Sequence, residues 1–153
     1  MQLKPLYTVR FVYQEDWETE LTGPGGKEEF HFLLARGTCS GRISGKFRGA
    51  NHPRRRTDHT FGMDLQGVIE TDDGAVLAFD YQGYGRAYPA GRRQIVGAAW
   101  HISSDERFQW LNDTICTLAG EVRWPQKPPD QVKQEEVELV IDVSELIWEA
   151  PTA

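Results

Sequence analysis

The chain has 153 residues, of which 39% are hydrophobic and 26% are charged, and its formal net charge is −6. This length fits one domain over residues 1–153, and the composition excludes a disordered or fibrous chain. The acidic balance makes nucleic acid an unexpected partner. The longest apolar stretch, residues 95–100, is far shorter than the ~20 residues that span a bilayer, so no membrane partner is expected.

The first residues and the two cysteines indicate the compartment. Residues 1–12 lack the basic start and apolar stretch of a secretory signal. Cys39 and Cys116 both fall in strand-like runs among apolar neighbours. We therefore expect a cytoplasmic protein whose two thiols are free, buried and unreactive.

Strand patterns dominate the chain. Runs of β-branched and aromatic residues, many with period-two alternation, predict eight strands. These strands cover residues 6–13, 29–35, 38–48, 60–71, 75–85, 94–102, 114–122 and 137–146. Alternation in the second of them places Phe30, Phe32 and Leu34 on one face.

The clearest junction is the sequence Asp72-Asp73-Gly74. It predicts a tight hairpin between strands 60–71 and 75–85, because Asp-Gly supplies the positive φ angles that such a turn needs. The two adjacent carboxylates are therefore expected to serve the turn rather than to act as an acid–base pair.

One short helix is expected between the sixth and seventh strands. Ser103 followed by Glu106 is typical of a capping box, and an apolar face that includes Trp110 follows and ends near Asn112. Eight antiparallel strands and one short helix predict an all-β, closed antiparallel barrel, since closure removes exposed strand edges. Its interior would hold packed side chains or one small ligand. An open two-sheet sandwich is the alternative.

Three runs in order resemble signatures of one family. The run IETDDGA at 69–75, the run RFQWLN at 107–112 and the run GTCSG at 37–41 are similar to those of the domain of unknown function 3237 family of bacteria and fungi. The resemblance implies a barrel similar to allene oxide cyclase, often paired as a dimer. Similar barrels host cofactor-free cyclases and isomerases that act on apolar substrates, which is an analogy of fold alone.

The chain departs from the family pattern at two places. Family members commonly carry Gly-Gly-Ala-Asp-Trp where this chain has GANH at 49–52, so Asn51 stands at the position of an aspartate. Gly67 stands at the position of a family tyrosine and is expected to enlarge the interior. Asp64 matches a recurrent family aspartate.

The catalytic candidates are Asp64, His101 and Tyr81. If the apolar face of strand 60–71 points inward, Asp64 is solvated. If the lumen is polar, Asp64 and Glu70 line it together, and Asp64 acts as a general base with a raised pKa. Asp64 or His101 would then move the proton and Tyr81 would hold polar groups, although His101 also fits a structural role.

Further residues are expected to contact the substrate. Arg86 would clamp a carboxylate or phenolate, Trp100 would stack on the ligand, and Trp110 either contacts it or anchors the short helix. The substrate-binding set consists of Asn51, His52, Glu70, Tyr84, Arg86, Trp100 and Trp110.

No metal site or cofactor is expected. His52, Asp58 and His59 are metal-ligating residue types, but their spacing matches no known site. The basic run Arg54–Arg56 is expected to be a solvated loop rather than a site for an anionic substrate or nucleic acid.

These residues favour three functions in a definite order. The first is a cofactor-independent isomerase, cyclase or lyase that acts on a small apolar or aromatic molecule inside the barrel. The second is a non-catalytic module that binds a small molecule in the same place. The third is a structural protein with a filled barrel. A homodimer is expected in each case.

Overall fold

The computed structural model describes residues 1–58, 60–87 and 93–152. The strands are β1 Gln2–Gly23, β2 Gly26–Gly41, β3 Gly45–Asn51, β4 Arg54–Arg55, β5 Phe61–Thr71, β6 Val76–Ala87, β7 Arg93–Ile102, β8 Cys116–Arg123 and β9 Glu138–Ile147. Three short 3₁₀ helices cover Gln109–Asp113, Pro129–Gln131 and Gln134–Glu136. Across the described ranges, no helix has the length and apolar character needed to cross a membrane.

The strands form one closed antiparallel barrel. Their order is β3-β2-β1-β9-β8-β7-β6-β5-β4. The ring closes because β3 also pairs with β5, from Gly45 opposite Thr71 to Asn51 opposite Leu65. Eight long strands make the ring, and the two-residue β4 adds a short pairing beside β5. The predicted closed barrel is confirmed, and the sandwich alternative is not observed.

The first hairpin is much longer than the sequence pattern predicts. β1 and β2 pair continuously from Tyr7 opposite Gly41 to Gly23 opposite Gly26. Among the described strands, residues 17–32 pair only with each other, so they project beyond the barrel as a two-stranded ribbon. The predicted break between strands 29–35 and 38–48 is wrong, because β2 continues through Gly37 and the chain turns only after Gly41, where φ is 138°.

The interior is apolar along most of its length. The inward residues of β5 include Met63, Leu65 and Ile69, which are almost fully buried. Phe47 stacks on Phe79 with ring centroids 4.5 Å apart. The sequence does not decide which face of β5 points into the barrel. In the structure it is the apolar face.

Gly67 does not enlarge the interior, contrary to the expectation from the family tyrosine. A Cβ atom at this position would lie 2.0 Å from the carbonyl oxygen of Arg48 and 2.6 Å from the Cα of Gly49. The two glycines face each other across the seam between β3 and β5. The space that a side chain at this position would need is thus occupied by the backbone of β3 rather than left empty.

The hairpin between β5 and β6 forms as predicted. Gly74 has a φ of 90° and its N–H donates to the Thr71 carbonyl oxygen at 3.0 Å. The Thr71 hydroxyl donates to the Asp73 carboxylate at 2.5 Å. Asp73 also pairs with Arg107, so the carboxylate orders the turn.

The predicted short helix is a five-residue 3₁₀ helix, Gln109–Asp113, without a capping box. The Ser103 hydroxyl donates to the Val76 carbonyl oxygen at 2.8 Å instead of capping the helix. The Asn112 side chain accepts from the Ser103 N–H at 2.8 Å and donates to the Ser103 carbonyl at 3.0 Å. These side-chain bonds close residues 103–112 into a loop, and Leu111 alone is buried from the 3₁₀ segment.

Candidate functional site at the mouth of the barrel

A cavity of about 260 Å³ opens at the end of the barrel from which the β1–β2 ribbon projects. This volume lies just below the ~300 Å³ at which typical ligand pockets begin, so it suits a small molecule. Much of the wall is apolar. The apolar lining includes Leu33, Phe61, Met63, Ile95, Val122, Trp124, Val137 and Leu139.

Tyr13 and Asn51 form a buried polar pair in this wall. The Asn51 amide donates to the Tyr13 hydroxyl at 2.8 Å, and the Asn51 side-chain oxygen accepts the Asp64 N–H at 3.1 Å. Burial raises the pKa of Tyr13 to about 12, against the opposing effect of its bond to Asn51. Tyr13 therefore keeps its proton, and its hydroxyl can donate to a ligand oxygen while Asn51 fixes its position.

An acidic wall lies on the ribbon. Glu18 and His31 are opposite each other in the β1–β2 register, and Asp16 lines the same cavity. His31 Nε2 lies 3.9 Å from a Glu18 oxygen and 3.7 Å from a Glu29 oxygen. This nitrogen is buried and makes no hydrogen bond among the described residues. A histidine beside carboxylates can move a proton.

Glu18, Glu29 and His31 could together hold a metal ion. The donor atoms of Glu18, Glu29 and His31 lie within 4.8 Å of one another. The site considered from the sequence is different. Its His59 lies outside the described residues, and His52 packs on Phe32 with ring centroids 4.6 Å apart.

A basic rim stands on the other side of the cavity. Phe61 and Arg93 line it, and the guanidinium carbons of Arg93 and Arg55 lie 4.3 and 5.7 Å from the centre of the Phe61 ring. In the strand order of the ring, β7 is the fourth strand from β2 in either direction. Arg93 on β7 and His31 on β2 are therefore on opposite walls.

Tyr81 and His101 lie in the interior but deeper than the cavity. The Tyr7 hydroxyl is 2.5 Å from the Tyr81 hydroxyl and 2.7 Å from His101 Nε2. Burial lowers the pKa of His101 to about 4 and holds the pKa values of Tyr7 and Tyr81 well above 10. All three groups are therefore neutral at pH 7. Neither Tyr81 nor His101 contributes to the cavity wall, where Tyr13 and Asn51 are found.

Asp64 and Glu70 lie on the outer face of β5. Gln82 donates to the Asp64 carboxylate at 2.6 Å, and Arg48 pairs with Glu70. The alternative in which both carboxylates line a polar lumen is thus not the one observed. Asp64 does border a broad groove of about 590 Å³ outside the barrel, together with Gln82 and Tyr84.

The remaining expected contacts also lie outside the cavity. Tyr84 lies under the Arg56 guanidinium at 5.5 Å, and Arg86 donates to Gln94 at 3.3 Å. Trp100 and Trp110 are more than one-third exposed, Trp110 with Arg42 over its ring. Of the expected substrate-binding residues, Asn51 alone lines the cavity.

Sequence reasoning missed Tyr13, Glu18, His31 and Arg93. The alternation predicts that Phe30, Phe32 and Leu34 share one face, but Ala35 and Cys39 are the buried residues of β2, so the inward face is the odd-numbered one. His31 belongs to that odd-numbered set. The available signal was Cys39, which is expected to be buried and which lies on the same odd-numbered face of β2 as His31.

The thiols match the expectation. Cys39 and Cys116 are free and buried. Burial raises the pKa of Cys39 to about 12 and that of Cys116 to about 11. Both are protonated near neutral pH and are poor nucleophiles.

Several solved structures share this fold. A β-barrel-like protein from Acinetobacter baumannii is 19% identical, with a TM-score of 0.73 and 94% of each chain covered. A conserved protein of unknown function from Rhodopseudomonas palustris is 17% identical, with a TM-score of 0.70 over 95% of this chain and 97% of that one. An enzyme from Penicillium herquei is 18% identical, with a TM-score of 0.58 and 93% of each chain covered.

At these identities the likeness concerns the fold alone. No curated protein matches the sequence. The family model described as "Protein of unknown function (DUF3237)" matches residues 1–145. The closed barrel and this match together agree with the resemblance carried by the three sequence runs, and the chain belongs to the DUF3237 family.

Proposed function

We propose that the protein is a cofactor-independent isomerase, cyclase or lyase that acts on a small apolar or aromatic molecule at the mouth of the barrel. The observation that carries the proposal is one cavity with apolar walls, a fixed hydroxyl donor and a histidine beside carboxylates. Such a combination of apolar lining and few convergent polar groups is typical of small-molecule sites.

Each polar group has a distinct role in the proposal. Tyr13 donates a hydrogen bond to a carbonyl or hydroxyl oxygen of the substrate and stabilises negative charge that develops there. His31, with Glu18 beside it, removes a proton from the substrate and returns it at another atom. The apolar lining excludes water from the face of the substrate that reacts.

Two observations bear on the choice between an enzyme and a binding module. The enzyme from Penicillium herquei has a similar barrel, which supports a catalytic use of the fold by analogy only. The side chains of Glu18 and Glu29 are 61% and 40% exposed, so water reaches them. Their exposure favours the alternative, a non-catalytic module that binds a small molecule in the same cavity.

The test is turnover of a panel of small aromatic and alicyclic molecules, separated by chromatography and identified by mass. An isomerase or cyclase gives a product of unchanged mass and altered retention, and a lyase gives two fragments. We expect His31→Gln and Glu18→Gln each to reduce turnover about 100-fold, the usual size of an acid–base contribution.

The matched control is Glu20→Gln. Glu20 is on the same ribbon but pairs with Lys27 at 2.8 Å, so its loss removes the same charge and should leave turnover unchanged. Dialysis against EDTA should also leave turnover unchanged. Saturable binding without any product would replace the enzyme by the binding module, and loss of turnover in EDTA would replace His31 as a base by His31 as a metal ligand.

A homodimer in the cytoplasm remains part of the proposal. Trp100 and Ile102 are exposed on the outer face of β7, and Tyr84 on that of β6, and such apolar surface favours association. Light scattering after size exclusion would measure the mass in solution. A monomer at every concentration would exclude the dimer.

A further inference from the structure

The basic rim has two guanidinium groups on one aromatic ring. Arg55 on β4 is opposite Phe61 in the β4–β5 register, and Arg93 packs against Gly85, the residue opposite Phe61 on β6. Both guanidinium carbons are within 6 Å of the Phe61 ring centre. Arg93 lines the cavity, and the Phe61 ring holds Arg55 close to it.

These two cations have no carboxylate partner in the described part of the chain. Several other arginines lie beside acids, as Arg48 does with Glu70 and Arg107 with Asp105. Burial and then the neighbouring Arg55 lower the pKa of Arg93 from its ordinary value. In a chain of net charge −6, two neighbouring arginines without a carboxylate partner, one of them in the cavity wall, are a cost that an anionic ligand would offset.

We infer that the molecule bound in the cavity carries a carboxylate group and that Arg93 and Arg55 bind it. This inference rests on the proposed function, which it deepens by naming the substrate class. The guanidinium fork matches a carboxylate and forms two parallel charge-assisted hydrogen bonds with it. The substrate is therefore an aromatic or alicyclic monocarboxylic acid.

The acidic wall sets the orientation of such an acid. Asp16 and Glu18 line the side of the cavity that carries His31, and they repel the carboxylate toward Arg93 on the opposite wall. The apolar body then lies across Met63 and Ile95, and its far end reaches His31. The same acidic residues disfavour a doubly charged phosphate, which favours a single negative charge.

The test compares one pair of probes that differ only in charge, 2-naphthoate and 2-naphthamide. Dissociation constants are measured by amide-detected NMR titration, which also shows whether cavity residues respond. The unmodified protein should bind the naphthoate at least ~10-fold more tightly than the amide, the size expected for a charge-assisted pair. Arg93→Met should reduce that ratio to about one, and Arg55→Met should reduce it partly.

Arg36→Met is the matched control, because Arg36 is exposed on the outer face of β2 and its loss removes the same charge. It should keep the ratio. Arg93→Lys serves if the methionine variant fails to fold, and it should lower the ratio because lysine lacks the planar fork.

Equal binding of both probes by the unmodified protein, or an unchanged ratio in Arg93→Met, would overturn the carboxylate inference while leaving a cavity that binds small molecules. Failure of both probes to shift cavity resonances would overturn the proposed function as well.

Discussion

The Tyr7 hydroxyl bridges the Tyr81 hydroxyl and His101 Nε2, at 2.5 and 2.7 Å, across the inside of the barrel. Tyr7 is on β1, and β6, which carries Tyr81, is the fourth strand from β1 in either direction around the ring. The bridge thus joins opposite walls in the buried part of the interior. His101 Nδ1 makes no hydrogen bond among the described residues, so Tyr7 supplies the one partner of the imidazole.

Removing the Tyr7 hydroxyl should destabilise the barrel more than removing the Tyr81 hydroxyl. Tyr7→Phe leaves both nitrogens of His101 without a partner, whereas Tyr81→Phe leaves the Tyr7–His101 bond intact. We expect Tyr7→Phe to lower the free energy of unfolding by about 1–3 kcal/mol, the cost of an unsatisfied buried polar group. Urea unfolding of both variants measures the difference, and a larger loss in Tyr81→Phe would contradict the bridging role of Tyr7.

His101 should make the protein less stable as the pH falls through the range from about 6.5 to about 4. Burial lowers its folded-state pKa to about 4, so the unfolded chain binds the proton first and stability rises with pH over this interval. This contribution of His101 to the free energy of unfolding is fully present above about pH 6.5 and amounts to about 3 kcal/mol. The same pH dependence should be absent in His101→Gln, because glutamine does not titrate.

The measurement is the free energy of unfolding in urea at several pH values between 4 and 7, for the unmodified protein and for His101→Gln. Carboxylates titrate in both proteins, so the difference between the two curves isolates His101. Parallel curves would mean that His101 is protonated equally in the folded and unfolded states.

The fold was predictable from local patterns, but the site was not. Period-two alternation identified β5, and Asp72-Asp73-Gly74 identified its hairpin, because both signals act within a few residues of the chain. The cavity depends on which faces of β1 and β2 turn inward beyond Tyr13. A bulge shifts the register between Tyr13 and Glu15, and such a shift exchanges the two faces of a strand without a strong local signal.

The same limit explains why the sequence pattern favours Asp64 and Arg86 over His31 and Arg93 as site residues. A charged residue within a strand is a candidate site residue on either face, because the sequence does not say which face closes around the interior. Asp64 is half-buried outside the wall, where its carboxylate accepts a hydrogen bond from Gln82. Arg93 lies where β7 begins, and its position over Phe61 depends on the pairing of three strands.

Gly67→Ala should destabilise the seam of the barrel. Its Cβ atom would lie 2.0 Å from the Arg48 carbonyl oxygen, so β3 and β5 must separate where the ring closes. We expect a loss of about 1–3 kcal/mol in the free energy of unfolding, as for an overpacked core position. Gly25→Ala is the control, because a Cβ atom there would meet no atom within 4 Å. A loss in Gly25→Ala as large as that in Gly67→Ala would argue against backbone contact at the seam.

Asp64→Asn separates the two locations at which a substrate could bind. Because the Asp64 carboxylate is outside the barrel, its neutralisation should change turnover or probe affinity by less than about twofold, the range of an ordinary surface substitution. Tyr13→Phe should reduce both, since it removes the hydroxyl that lines the cavity. The two variants are compared in the same assay and by NMR titration with 2-naphthoate. If Asp64→Asn abolished turnover and Tyr13→Phe had no effect, the site would lie in the outer groove beside Gln82 and Tyr84, where Asp64 could still act as a base.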